Sequence, residues 1–392
     1  MGFQSVTLAF DRRSIESISD NTFVPGNSVT LLHKTRDSFN AIFDAIREAR
    51  DVICLQFYIF RNDETGTEVA DLLKEKAKAG VRVYLLYDHF GSFGTPASFW
   101  KGLEKAGISI RASRPFKWSS PFHYVQRDHR KLLIIDGRKV FTGGLNIANE
   151  YRGFHLRMKE GWRDTGIMLR GPIAPALFRI FMATWKTWGG GNIPLPDVVP
   201  SQGVPPSPDN NLPVIPIFAS SAKGRRKMRK LLYYSFRNAR ASIRLTTAYF
   251  TPSRRMIDTL EESVQRGVDV RLLLPGISDV PAARYAGRAS FSRLLRAGVK
   301  ISTYQGEVLH AKTSVFDGYW SIVGSANLDF LSLRRNDEGN VGILDEGFGR
   351  KMNAVFEDDL TRSTEIREED WAGRPLREKI KERFFVLFRR RL

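Results

Sequence analysis

The chain has 392 residues, 42% of them apolar and 26% charged, a globular composition with room for two ordinary domains. Lys and Arg number 61 against 42 Asp and Glu, so the formal charge of +19 seeks an anion, and nucleic acid or an anionic membrane would both serve. One cysteine excludes an intramolecular disulfide, and no run approaches the roughly 20 apolar residues that a membrane-spanning helix needs.

The N-terminal MGFQSVTLAFDRRS lacks the basic-then-apolar order of a signal peptide, so the expectation is a protein kept in the cytoplasm. An apolar strand over 52–60 follows, and Cys54 inside it reads as a buried structural thiol. An amphipathic helix over 67–79 ends at Gly80, where a helix C-terminal glycine is expected, and a second strand covers 81–87. The pattern then recurs. REARDVICLQFYIF near residue 50 parallels FRNARASIRLTTAYF near 240, LLKEKAKAGVRVYLLY parallels LEESVQRGVDVRLLL, and GLEKAGISI at 102–110 parallels RLLRAGVKI at 293–301. Internal repetition of strand, helix and strand predicts an α/β fold used twice. The Gly/Pro-rich stretch 189–213 reads as a linker rather than a phosphate cradle, because no Lys-Ser/Thr follows its glycine triplet. The expected division is 1–188, the linker 189–213, 214–375, and a basic amphipathic tail helix over 376–392.

Two segments carry the chemistry: HRKLLIIDGRKVFTGGLN from His129 and HAKTSVFDGYWSIVGSAN from His310. His129, Lys131, Asp136, Gly144 and Asn146 match His310, Lys312, Asp317, Ser325 and Asn327, each pair 181 residues apart. Each segment reads as a hairpin turning at Asp-Gly. Period two puts His and Lys on one face, and the return strand brings Gly-Gly or Gly-Ser and the asparagine back beside them. Lys131, Lys312, Asn146, Asn327 and the backbone at Gly144 and Ser325 would then hold a phosphate diester. One imidazole would attack phosphorus while the other moves the leaving-group proton. Core packing does not ask for Lys two residues after His in both copies, and neither His-x-Lys has a further zinc-type ligand at short spacing, so no metal is expected. Asp136 and Asp317 lie on the opposite parity, where residue chemistry has them pin the hairpin.

The pattern His-x-Lys-x4-Asp-x6-Gly-(Gly/Ser)-x-Asn, present twice, resembles the phospholipase D superfamily. RDHRKLLIIDGRKVFTGGLNIANEY, GWRDTGIMLRGP and GSANLDFLSL look closest to bacterial cardiolipin synthases of the type without N-terminal transmembrane helices. The resemblance implies two tandem phospholipase-D-like domains, each a mixed sheet flanked by helices, related by a pseudo-twofold axis with the active site between them. It counts His129, Lys131, Asp136, His310, Lys312 and Asp317 as the catalytic set, and it implies transfer of a phosphatidyl group from phosphatidylglycerol without a cofactor. It further implies a carboxylate behind each histidine: Asp164 of WRDT behind His129, and Glu338 of RRNDEGN behind His310. Gly166 departs from similar enzymes, which often carry histidine there; its counterpart is Asn340.

The same chemistry serves nucleases, but no recognised nucleic-acid module is present, so a nucleic-acid partner is not expected. A phospholipase-D-type hydrolase or nuclease using the same two histidines, and a non-catalytic membrane or nucleic-acid binding protein, stand as the other readings. Residues 221–240 hold eight basic and no acidic residues, and Leu376, Ile380, Phe384, Leu387 and Phe388 fall on one face of the tail helix. Both features suit peripheral docking on the cytoplasmic side of the cell membrane. A tail packing that face on the core is the alternative. Oligomeric state is not legible.

Overall fold

Alternation of β-branched runs with amphipathic helices builds the sheet expected from the repeat. The computed structural model describes residues 10–116, 126–153, 161–194 and 211–391. The first half supplies β1 (Val24–Leu32), β2 (Val52–Phe57), β3 (Arg82–Asp88), β4 (Ser109–Ser113), β5 (Leu132–Ile135), β6 (Lys139–Gly143) and β7 (Gly166–Arg170). The second supplies β8 (Leu212–Ala219), β9 (Ser242–Thr246), β10 (Asp269–Pro275), β11 (Lys300–Tyr304), β12 (Thr313–Phe316), β13 (Trp320–Gly324), β14 (Glu338–Leu344) and β15 (Ser363–Ile366). Read outward from the centre, the order β1-β7-β6-β5-β2-β3-β4 is repeated as β8-β14-β13-β12-β9-β10-β11, with β15 added at the edge. β2, β3 and β4 run parallel, as do β9, β10 and β11, whereas the hairpins β5–β6 and β12–β13 are antiparallel.

The two mixed sheets are continuous through β1 and β8, which pair antiparallel with Asn27 opposite Leu212. Buried Asn27 fastens this seam. Its amide donates to the Val24 and Leu212 carbonyls and accepts the Ile173 N–H. Separate cores lie under the helices of each half: Phe39, Ile42 and Leu73 in one, Leu231, Phe236 and Leu260 in the other. A third core is shared. It joins Ile134, Val140, Ile167 and Leu169 to Val315, Val323, Val341 and Ile343. At about 1.5–3 kcal/mol for each such side chain buried, this shared layer holds the halves in one fixed relation.

The division at residue 188 needs one correction. Phe10, Ile15 and Phe23 belong to the core of the second half, with Phe10 5.9 Å from the Phe316 ring and Phe23 6.0 Å from the Trp320 ring. The cause is the apolar edge of the helix Arg12–Ser19, whose Ile15 is buried in the core that also holds the inner face of the helix Ala222–Asn238. Of the expected linker, 195–210 lies outside the described residues. The tail forms the helix Leu376–Val386. Among the described residues no helix is long and apolar enough to cross a membrane.

Candidate active site

Each motif is the hairpin its sequence describes. In β5–β6 Leu132 faces Thr142, and the Thr142 hydroxyl donates to the Lys131 carbonyl at 2.8 Å, so the return strand ends beside the His-x-Lys segment. The turn needs two left-handed residues in succession, and Asp136 (φ 51°) and Gly137 (φ 62°) supply them, as Asp317 (φ 53°) and Gly318 (φ 63°) do in the second copy. The Asp136 carboxylate accepts the N–H groups of Arg50, Asp51 and Val52 at 2.8–2.9 Å. Asp317 does the same for Arg240, Ala241 and Ser242. These bonds clamp each turn to the start of the neighbouring strand, β2 or β9, which pairs antiparallel with the first strand of the hairpin. Membership of Asp136 and Asp317 in the catalytic set is therefore corrected: both sit at the far end of their strands, roughly 20 Å of extended chain from the histidines.

The carboxylates cross between the halves. Short bridges pair Asp128 with Asp337 and Arg163 with Leu309. The His129 N–H thereby donates to the Asp337 carbonyl at 2.9 Å and the His310 N–H to the Arg163 carbonyl at 2.7 Å. Glu338 follows Asp337, so its Oε2 meets His129 Nδ1 at 3.1 Å, and Asp164 follows Arg163, so its Oδ2 meets His310 Nδ1 at 2.6 Å. This reverses the pairing expected from the resemblance. The register of the bridges, not closeness in sequence, decides which carboxylate stands behind which imidazole.

His129 Nδ1 faces two acceptors, Glu338 Oε2 and the Ser325 carbonyl, both at 3.1 Å. Its proton therefore resides on Nδ1, and the Nε2 lone pair is left for chemistry. His310 Nδ1 lies 2.6 Å from Asp164 and 2.6 Å from Lys312 Nζ. One nitrogen cannot donate to the carboxylate and accept from the ammonium at once, and the buried carboxylate is the stronger claim on its proton. Lys131 Nζ donates to the His129 carbonyl at 2.6 Å, and Lys312 Nζ to that of His310. The four groups are 2–7% exposed.

Burial dominates their electrostatics. It lowers His310 to about 4 and, with Lys131 nearby, also lowers His129, so both rings are neutral near pH 7. Burial brings Lys131 down to about 7, helped by repulsion from Lys312 across the interface, and Lys312 down to about 8. For Asp164 burial opposes ionisation, but Lys312 and His310 outweigh it and hold the carboxyl below its usual range. The lysines of the two motifs thus act on one another, as do Asp164 and Lys131.

The glycine positions do different work from that expected. The Gly144 N–H donates to the Thr165 carbonyl and that of Ser325 to the Gly339 carbonyl, so neither is aimed at a phosphate. Gly144 instead makes room: a Cβ there would lie 2.1 Å from Asp164 Oδ1. At the matching position the Ser325 hydroxyl donates to Glu338. Asn146 accepts the Ile59 N–H at 3.0 Å and donates to the Tyr151 hydroxyl at 2.8 Å. Asn327 uses Oδ1 for the Tyr249 N–H and the Thr247 hydroxyl, both at 3.3 Å.

Residues missed in the sequence wall the site. Tyr58 packs 4.9 Å from the His129 ring, and Tyr151, Trp162 and Tyr249 pack 5.3, 5.5 and 6.2 Å from that of His310. The repeat gave no signal for them, since Tyr58 of QFYIF matches Ala248 of TTAYF, and Tyr249 matches Ile59. Buried charges brace the bridges: Arg163 holds Asp359 through two bonds of 2.7 Å, while Asp337 receives Arg114 and Arg225.

Comparisons with known proteins show the family and the fold. Residues 42–157 and 232–360 match the family described as cardiolipin synthase, PLD-like domain. The chain belongs to this family. It is 34% identical to cardiolipin synthase A of Pseudomonas putida over 364 residues, covering 91% of this chain and 74% of that one. It is 35% identical to cardiolipin synthase 2 of Bacillus anthracis over 355 residues, covering 90% and 68%. The chain is thus an enzyme of the phospholipase D superfamily, of the phosphatidyltransferase kind. Its fold is shared with phosphatidylserine synthase from Haemophilus influenzae (TM-score 0.76, 14% identity, covering 97% of this chain and 99% of that one). It is also shared, less fully, with polyphosphate kinase from Porphyromonas gingivalis (TM-score 0.57, 14% identity, 91% and 52%).

Proposed function

We propose that this enzyme makes cardiolipin from two molecules of phosphatidylglycerol, working at a membrane surface from its cytoplasmic side. The crossed carboxylate–imidazole pairs carry the reading, because they bind one catalytic unit out of two half-motifs. His129 Nε2 attacks the phosphorus of the first lipid, and the bond from phosphorus to the glycerol headgroup oxygen breaks. His310 delivers a proton to that oxygen and glycerol leaves. The headgroup hydroxyl of the second lipid then gives its proton to His310 and attacks the phosphohistidine, whose P–N bond breaks to release cardiolipin and restore His129.

His310 must be protonated for the first step although its resting value lies near 4. The incoming phosphodiester supplies the missing negative charge, which raises the affinity of both the imidazole and the lysines for protons. Lys131 and Lys312 then neutralise the non-bridging oxygens, most strongly as charge builds in the transition state. Assignment of attack to His129 rests on its doubly anchored Nδ1–H.

Product analysis with labelled phosphatidylglycerol tests the reaction. Cardiolipin plus free glycerol is expected; phosphatidic acid alone would mean that water takes the intermediate, and cleavage of DNA supplied alongside would mean a nuclease. An acid-quenched, labelled phosphoenzyme should map to His129, and a label on His310 would reverse the two roles.

A further inference from the structure

The helix Leu376–Val386 is docked the wrong way round for a core helix. Its buried residue is Glu382, 2% exposed, which accepts from Arg288 at 3.0 Å and from Arg374 at 2.7 Å. Phe385 stacks on Tyr285, and both Tyr285 and Arg288 belong to the helix Pro281–Arg288. The apolar stripe faces outward: Leu376 is 70% exposed, Ile380 58%, Phe384 54%, and Leu387 beyond the helix end 76%. Arg377, Arg383, Arg390 and Arg391 are exposed beside it. Ion pairs inside and hydrocarbon outside invert the usual arrangement, and such a face asks for a cover.

Its position says which one. The helix Pro281–Arg288 follows the loop after β10, where Asp279 accepts the Tyr249 hydroxyl at 2.6 Å, and Tyr249 packs on His310. The matching loop after β3 begins at Asp88, which accepts the N–H of Asp128, the residue before His129. These two loops flank the histidines from opposite halves, and each presents an apolar side chain to solvent, Phe93 at 77% and Ile277 at 65%. Arg127 lies 3.9 Å over the ring of Phe90 in the first loop.

We propose that the C-terminal helix and the loops after β3 and β10 form one docking rim that seats the active-site edge of the sheet on an anionic bilayer. The proposal rests on the phospholipid reading above and names the surface that serves it. Hydrocarbon side chains enter the interface while the flanking guanidinium groups meet the lipid phosphates. A second copy of the chain is the poorer cover, because pairing two such faces would bring their arginines together. The basic helix Ala222–Asn238 contributes less than its composition suggests, since Arg225 and Lys227 are paired with Asp337 and Asp20 and Arg229 is bonded to the Leu333 carbonyl.

The full chain offers a clean test because its one native thiol, Cys54, is buried. Leu387→Cys, Phe93→Cys and Ile277→Cys, each carrying an environment-sensitive dye, should shift to the blue on phosphatidylglycerol-containing vesicles. Arg138→Cys, at the hairpin turn on the opposite edge, should not. No shift at any of the three, or a shift at Leu387 without Phe93 and Ile277, would overturn the shared rim. The double variant Phe384→Asp/Leu387→Asp should lose vesicle cosedimentation about tenfold or more. It should still turn over short-chain phosphatidylglycerol dispersed below its micelle point. Sedimentation velocity showing that the double variant merely dissolves a dimer would also overturn it. Wild-type protein that docks but never turns over the dispersed lipid would instead defeat the functional reading and leave the rim standing.

Discussion

The two hairpins repeat each other in backbone and differ in what stands behind each imidazole. His129 is held by a glutamate, with Ser325 donating its hydroxyl to the same carboxylate, and the bridge residue before that glutamate is acidic Asp337. His310 is held by an aspartate, Gly144 leaves space for it, and the bridge residue before that aspartate is basic Arg163. A carboxylate one methylene longer goes with a hydroxyl, and a shorter one goes with an empty position. The geometry is thus present twice, while the groups that back the two imidazoles differ from one half to the other.

Removing either imidazole should erase the comparison altogether. His129→Ala and His310→Ala are each expected to lower kcat by about 10³-fold or more, since nucleophile and proton carrier are parts of one unit. Retention of substantial turnover in one of them, measured by cardiolipin formation, would mean that the halves work independently.

The crossed pairing comes next in size. Asp164→Asn and Glu338→Gln should each cost about 10²–10⁴-fold in kcat by mis-setting the tautomer of the imidazole opposite. Glu338→Gln should slow phosphoenzyme formation at His129. Asp164→Asn should instead act through His310, so a leaving group that needs no protonation should recover most of its first-step rate. If the same leaving group rescued Glu338→Gln and not Asp164→Asn while the phosphoenzyme label still mapped to His129, the pairing would be the uncrossed one. Gly144→Ala should resemble Asp164→Asn, because its Cβ would displace that carboxylate. Ser325→Ala, which removes a single hydrogen bond to Glu338, should cost only about tenfold.

The lysines predict a smaller effect that depends on pH. Lys131 near 7 and Lys312 near 8 lose their charge in turn as pH rises, so kcat/KM should fall by about tenfold or more between pH 7 and 9. Lys131→Met should remove the lower limb of that profile. For stability the sign is opposite. These lysines hold their protons more weakly in the fold than in the unfolded chain, whose value is 10.5, so the ligand-free enzyme should gain stability from them as pH rises from about 7 toward that value. Thermal melts that instead lose stability through this window in step with Lys131 would mean that the group is stabilised as a cation. Added phosphate should shrink the effect by restoring the lysine charge.

Much of this is legible in the sequence alone. Period-two alternation and the Asp-Gly turns reveal hairpins, and the fixed offset between His129 and His310 reveals that there are two of them. The crossing was not legible, because it depends on two short bridges, Asp128 with Asp337 and Arg163 with Leu309, that carry no local pattern. The same holds for Phe10, Ile15 and Phe23, whose chain position places them in one half and whose burial places them in the other. The tail shows the reverse case. Its apolar stripe is plain in the sequence, but whether the stripe faces the core or solvent turns on Arg288 meeting Glu382, a contact between residues nearly a hundred apart.

The smallest expected effect on chemistry separates the two ends of the hairpin. Asp136→Asn keeps a residue that tolerates the left-handed turn and one oxygen for the N–H groups of Asp51 and Val52. It turns an amide NH2 toward the N–H of Arg50, so one bond is lost and two donors face each other. A stability loss of about 1–3 kcal/mol is expected, read from denaturant midpoints, with kcat/KM of the folded fraction within about twofold of wild type. Asp317→Asn should behave alike, since its carboxylate binds the corresponding N–H groups of Arg240, Ala241 and Ser242. A fall in kcat of about a hundredfold without matching destabilisation would return both aspartates to the reacting groups. It would also mean that the strand between Asp136 and His129 transmits more than position.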